Sequence, residues 1–83
     1  MTDRRLTPAN GRVAALRLQG QVEADRFTAG EPLRVAVPVA DLDRAPGGMR
    51  DRQLLWGEGV TAYETRDGMA FVEAHRDGYV GYV

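Results

Sequence analysis

The 83-residue sequence contains no cysteine, no serine and no lysine, and each absence narrows its chemistry. Without cysteine there is no disulfide, no thiolate metal ligand and no thiol nucleophile. Without serine there is no serine nucleophile, and none of the threonines has a base at motif spacing. We therefore expect no enzymatic activity from this chain alone. All 11 cationic side chains are arginines, so every cationic contact uses a planar guanidinium.

The charge balance argues against polyanionic partners. The chain has 11 basic and 12 acidic residues, a formal net charge of −1, and its arginines are spread rather than clustered. This predicts neither nucleic-acid nor membrane binding. The opening residues include no apolar run, so we expect no signal peptide, no membrane span and a cytoplasmic location.

Metal and cofactor sites are not expected either. Asp41 and Asp43 lie two residues apart, but two acids without a third ligand seldom hold Ca²⁺ or Mg²⁺. Gly47 and Gly48 lack the lysine and the following helix of a phosphate loop. His75, the one histidine, has no catalytic arrangement around it and is interpreted as a surface residue.

The length suits one domain with a thin core. Residues 1–20 are predicted to be a flexible or short helical lead-in, with one or two helical turns over residues 13–18 that Gly20 would end. Residues 21–83 are predicted to form the domain. Within it, residues 21–27 are interpreted as a short, irregular strand.

Strand signals dominate the rest of the chain. Residues 33–37 alternate apolar and less apolar side chains, the pattern of a half-buried strand that Pro38 would end. Residues 41–53 are predicted to form a long polar loop, with its turn at residues 46–48. Strands over residues 60–65, 69–74 and 79–83 are separated by Asp-Gly pairs, a strong hairpin signal. Short strands at this spacing predict an all-β sandwich or small barrel.

Three motifs point to a particular protein family: VADL at residues 39–42, QLLWGE at 53–58 and DGYVGYV at 77–83. In this order and spacing the chain resembles the amino-terminal bacterial SH3-like domain of NlpC-type cell-wall cysteine endopeptidases, which are similar to dipeptidyl-peptidase VI. The resemblance implies an all-β, small SH3-like barrel of about five strands with a short helical or irregular N-terminal segment. It covers nearly the whole chain.

The resemblance also implies a function. The bacterial enzymes of this family cut peptidoglycan stem peptides with a Cys–His pair in a carboxy-terminal catalytic domain, which nothing here matches. The chain therefore resembles the non-catalytic recognition domain of a murein-peptide hydrolase. It would dock against an NlpC-type catalytic domain and form one wall of the pocket for the free amino terminus of L-Ala-γ-D-Glu peptides.

Three residues are the candidates for ligand binding. In the family, a carboxylate from the loop side and a tyrosine near the last strand hold the peptide's amino terminus, and by position these are Asp51 and Tyr79. Asp51 has an alternative as a solvated loop acid paired with Arg50 or Arg52. Tyr79 has an alternative as an aromatic packed at the barrel rim. Trp56 suits a binding surface, although the core is the favoured interpretation for it.

Two departures from the family pattern leave alternatives open. Met69 stands where such domains commonly have tryptophan, and at Val83 the expected closing strand is missing. An unpaired edge there would allow a homo-oligomer, unless residues 21–27 fill it. The alternative function is a free-standing SH3-like module that binds an extended peptide or a protein.

Overall fold

The structure is a computed structural model that describes residues 6–45 and 48–83. Short strands dominate these residues, with one turn of 3-10 helix at Leu16–Leu18. The strands are β1 (Val13–Ala15), β2 (Arg26–Thr28), β3 (Glu31–Arg34), β4 (Val39–Asp43), β5 (Arg50–Leu55), β6 (Gly59–Arg66), β7 (Met69–Ala74) and β8 (Val80–Tyr82). No helix in the described ranges is long and apolar enough to cross a membrane.

An antiparallel six-stranded sheet in the order β3-β6-β7-β8-β4-β5 forms the body of the domain. Its central hairpin follows from the Asp-Gly signal, since Asp67 and Gly68 both adopt positive φ (54° and 80°) between β6 and β7. Gly78 (φ 76°) lies in the turn that joins β7 to β8. Both predicted hairpins are confirmed. The all-β, SH3-like fold is confirmed as well, although the main sheet has six strands and is not closed into a complete barrel.

The edges of the sheet are not where the sequence suggested. β8 lies between β7 and β4, and the backbone of Val83 exchanges hydrogen bonds of 2.8 and 3.0 Å with Ala70. The expectation of an unpaired edge at Val83 is therefore wrong. In the part of the chain that the structure describes, β3 and β5 are the edge strands of this sheet.

The predicted long loop at residues 41–53 is also wrong. Most of that stretch belongs to β4 and β5, which pair as a hairpin, so only residues 44–49 connect the two strands. The predicted turn at residues 46–48 lies partly outside the described residues. Cross-strand burial of Leu42 and Leu54 outweighs the polar composition that predicted a loop.

The N-terminal segment, residues 6–20, packs against the rest of the domain rather than forming a flexible lead-in. Residues 13–15 form β1 instead of a helix, and β1 pairs in parallel with β2. Residues 21–27 contribute only the start of β2, which does not join the six-stranded sheet. Val13 and Ala15 are buried beside Tyr63, Phe71 and Val80. The domain boundary at residue 20 stays a prediction.

The core has two parts. The first cluster lies inside the curved sheet and contains Leu42, Leu54, Val60, Ala62, Val72 and Ala74. The second cluster lies under the N-terminal segment. The predicted half-buried strand at residues 33–37 is shorter and more exposed than expected: β3 ends at Arg34, and Leu33 is 41% exposed at the sheet edge.

Candidate functional site

Asp51 occupies a distortion of the β4–β5 hairpin. The register pairs Leu42 with Arg52 and Asp43 with Arg50, so Asp51 is the extra residue of a β-bulge. Bulges redirect side chains and are frequent beside functional sites. The Asp51 side chain is only 7% exposed, and its Oδ1 lies 3.4 Å from Nη2 of Arg44. The alternative of a solvated loop acid is therefore wrong, because the carboxylate is shielded from water and lies against Arg44 across the hairpin.

The next residue, Arg52, joins this hairpin to the turn between β7 and β8. Its Nη1 lies 2.6 Å from Oδ2 of Asp77, and its guanidinium carbon lies 4.5 Å from the centre of the Tyr79 ring. Asp77 also accepts a hydrogen bond of 3.2 Å from the backbone N–H of Tyr79. Tyr79 is partly buried against the first core cluster. Arg52 thus holds Tyr79 beside the strand that carries Asp51.

A further ion pair extends this arrangement to the turn that follows β5. Arg76 Nη1 lies 2.8 Å from Oε1 of Glu58, and Arg76 Nε lies 3.9 Å from Oδ2 of Asp77. The turn at residues 56–58 therefore lies next to the turn at residues 75–79. We call the set Asp51, Arg52, Glu58, Arg76, Asp77 and Tyr79 the ionic face.

Trp56 does not belong to the core. Its side chain is 68% exposed in the turn after β5, and its backbone N–H donates a 3.1 Å hydrogen bond to the Pro38 carbonyl. The favoured core interpretation is wrong, since the turn directs the indole outward. Val37, Val39 and Leu55 are about half exposed, and Val39 pairs with Leu55 across the hairpin. Val39, Leu55 and the adjoining Trp56 lie at the end of the hairpin away from Asp51, and we call these three residues the apolar patch.

The ionic face can bind charged and polar groups through its carboxylates, its guanidinium groups and the Tyr79 phenol. Carboxylates accept charge-assisted hydrogen bonds from an ammonium, and a phenol can donate or accept. Within the described residues no group of three or more histidines, cysteines or acids is placed to hold a metal ion. His75 is exposed, as expected, with Nε2 2.8 Å from Oγ1 of Thr61.

Sequence reasoning missed four members of this face: Arg52, Glu58, Arg76 and Asp77. Asp77 stood out in the sequence as part of an Asp-Gly pair, but a turn was a sufficient explanation for that pair. No local pattern marked Arg52 or Glu58. Their partners, Asp77 and Arg76, are 25 and 18 residues distant along the chain (77 − 52 and 76 − 58). Such pairings exist only once the two turns meet in the fold.

Comparison with known proteins gave a match to one family model, and the matched part of the chain contains this face. No match was found among curated proteins or among solved structures. Residues 42–83, just over half of the chain, match the family model described as the bacterial dipeptidyl-peptidase SH3 domain. The matched region contains every residue of the ionic face. This chain belongs to the family of SH3 domains of bacterial dipeptidyl-peptidases, as a non-catalytic accessory domain.

Proposed function

We propose that this domain forms one wall of the substrate pocket of a murein-peptide hydrolase and holds the free amino terminus of L-Ala-γ-D-Glu peptides. The observation that carries the proposal is the link through Arg52, which keeps Tyr79 next to the strand of Asp51. The family match supports an accessory role beside a peptidase domain. In this proposal that domain is of the NlpC type and supplies the cysteine nucleophile.

Asp51 is the proposed acceptor for the substrate ammonium. Its side chain is largely shielded from water, which strengthens a charge-assisted hydrogen bond. At present Arg44 lies against it at 3.4 Å, near the long limit of a hydrogen bond, while the Arg44 side chain is half exposed. A substrate ammonium would take the place of this guanidinium. Peptides still attached to glycan lack the free amine and would be rejected.

Titration of the labelled chain with L-Ala-γ-D-Glu-meso-diaminopimelate, followed by NMR, tests the proposal. We expect saturable shifts at Asp51, Arg52 and Tyr79, and none with the same peptide acetylated at its amino terminus. Asp51→Asn should weaken binding roughly tenfold, because it removes a charge-assisted bond. The matched control is Asp41→Asn, an exposed acid of the same hairpin that lies 3.5 Å from Arg50.

Two outcomes would contradict the proposal. Equal shifts with the acetylated peptide would show that the amine is not recognised. Equal losses in Asp51→Asn and Asp41→Asn would show a general charge effect. If the isolated chain gives no shifts, the same titration is repeated with the domain joined to its catalytic domain, and absence of binding there as well would refute the pocket.

The apolar patch favours a second candidate function, a free-standing module that binds an extended peptide. Trp56, Val39 and Leu55 are each about half exposed or more, and Leu55 belongs to the edge strand β5, where an added strand can pair. This function predicts that ligand shifts concentrate at Trp56 and β5 without any catalytic domain present. Quenching of the indole fluorescence by a peptide of either terminal chemistry would favour it over the amino-terminus pocket.

A further inference from the structure

A groove of about 260 Å³ lies on another part of the molecule, between the N-terminal segment and the tip of the β6–β7 hairpin. Its lining residues are Arg12, Glu64, Arg66, Asp67, Met69 and Tyr82. None of these is in the ionic face.

The acidic part of the groove is already neutralised. Arg12 donates to Glu64 through Nε (3.2 Å) and Nη2 (2.8 Å), and Asn10 adds a longer bond of 3.4 Å to the same carboxylate. These hydrogen bonds, with that of Arg12 first, lower the pKa of Glu64. Glu64 therefore stays ionised and bound to Arg12, and it offers little to an incoming cation.

Donors remain available at the same place. The Tyr82 hydroxyl accepts a 3.0 Å hydrogen bond from Nδ2 of Asn10, and within the described residues nothing accepts its own proton. Arg66 Nε lies 3.9 Å from Oδ2 of Asp67, which is too long for a hydrogen bond. The Asp67 side chain is 93% exposed, so water screens most of its charge. The Arg66 guanidinium, whose side chain is 58% exposed, and the Tyr82 O–H thus border the groove as donors that a ligand can engage in place of water.

The geometry points to a binding site for a small aliphatic carboxylate, such as the carboxyl terminus of a peptide. A guanidinium matches the planar carboxylate with two parallel hydrogen bonds, and the hydroxyl adds a third donor. Met69 gives the groove an apolar wall for the adjoining aliphatic side chain. The formal charges of the four ionised side chains cancel, which suits a monoanion better than a phosphate dianion. The site is independent of the amino-terminus pocket.

NMR titration with N-acetyl-alanine, and with N-acetyl-alaninamide as the uncharged analogue, tests this site. We expect saturable shifts at Arg66, Met69 and Tyr82 in the millimolar range for the carboxylate only. Arg66→Gln should raise the dissociation constant roughly fivefold and Tyr82→Phe roughly threefold. Arg26→Gln is the matched control, because it removes an exposed arginine of β2 and changes the net charge equally.

Four results would overturn the inference. The amide could shift the same residues as strongly as the carboxylate, which would show that charge is not recognised. Arg66→Gln could bind no more weakly than Arg26→Gln. Inorganic phosphate could bind these residues more tightly than N-acetyl-alanine, which would assign a phosphate site instead. Absence of any saturable shift at the solubility limit would also refute the site.

Discussion

At the scale of single residues, Tyr63 shows how burial changes a titration. Its side chain is only 5% exposed in the second core cluster, and its hydroxyl donates a 2.7 Å hydrogen bond to Oε1 of Glu73. Burial, followed by this bond to a carboxylate, raises the pKa of Tyr63 from 10.0 to about 12. Arg17 completes the group by pairing with Glu73 at 2.6 Å.

The raised pKa predicts a loss of stability in alkali. The unfolded tyrosine ionises first, so the stabilisation is fully present below pH 10 and disappears as the pH rises toward about 12. Tyr63→Phe should be about 1 kcal/mol less stable at neutral pH, because it loses one hydrogen bond. The unfolding free energy of Tyr63→Phe should then fall less steeply than that of the parent protein between pH 10 and about 12. Urea unfolding at a series of pH values measures both, and parallel curves for the two proteins would contradict the assignment.

At the scale of elements, β8 depends on a glycine for its place beside β4. A Cβ at Gly81 would lie 2.6 Å from the backbone oxygen of Asp43 and 2.9 Å from Cγ of Leu42. Neither atom can move easily, since one is backbone and the other belongs to a fully buried side chain. This close approach allows β8 to sit between β7 and β4 rather than at an edge.

Gly81→Ala should therefore lower the free energy of unfolding by about 2–3 kcal/mol through overpacking. The control is Gly78→Ala, where a Cβ would meet nothing within 4 Å and only the positive φ of 76° adds about 1 kcal/mol. Chemical denaturation of both variants gives the comparison. An equal loss in the two variants would mean that the contact with β4 does not constrain β8.

At the scale of the whole molecule, the N-terminal segment covers one of the two core clusters. Val13 is fully buried against side chains from the six-stranded sheet, whereas Leu16 in the same segment is half exposed. The ion pairs Arg12–Glu64 and Arg17–Glu73 attach the segment to β6 and β7 on the two sides of β1. The segment thus contributes burial that a domain beginning at residue 21 would lack.

Substitutions in that segment test where the folded unit begins. Val13→Ala should lower the free energy of unfolding by about 2 kcal/mol through the cavity it leaves. Leu16→Ala should change it by less than about 1 kcal/mol, because that side chain is half exposed. Thermal or urea unfolding measures both. If Val13→Ala were as mild as Leu16→Ala, residues 1–20 would be a lead-in, as the sequence predicts.

Local patterns predicted the hairpins well and the site poorly. The Asp67-Gly68 and Asp77-Gly78 turns were predictable because positive φ is a property of the residues in the turn. The order of motifs along the chain was enough to indicate the family and the SH3-like fold. The exposure of Trp56 was not predictable, because its large apolar side chain is equally suited to a core and to a surface.

The sequence by itself determined the all-β fold class and excluded a cysteine or serine nucleophile, because both depend on residue type and on local order along the chain. Only the tertiary structure decided which charges meet. Arg52 reaches Asp77 and Tyr79, and Arg12 reaches Glu64, because the sheet brings together residues that are distant along the chain. The bulge that places Asp51 depends on pairing between two strands, which the polar composition of residues 41–53 concealed.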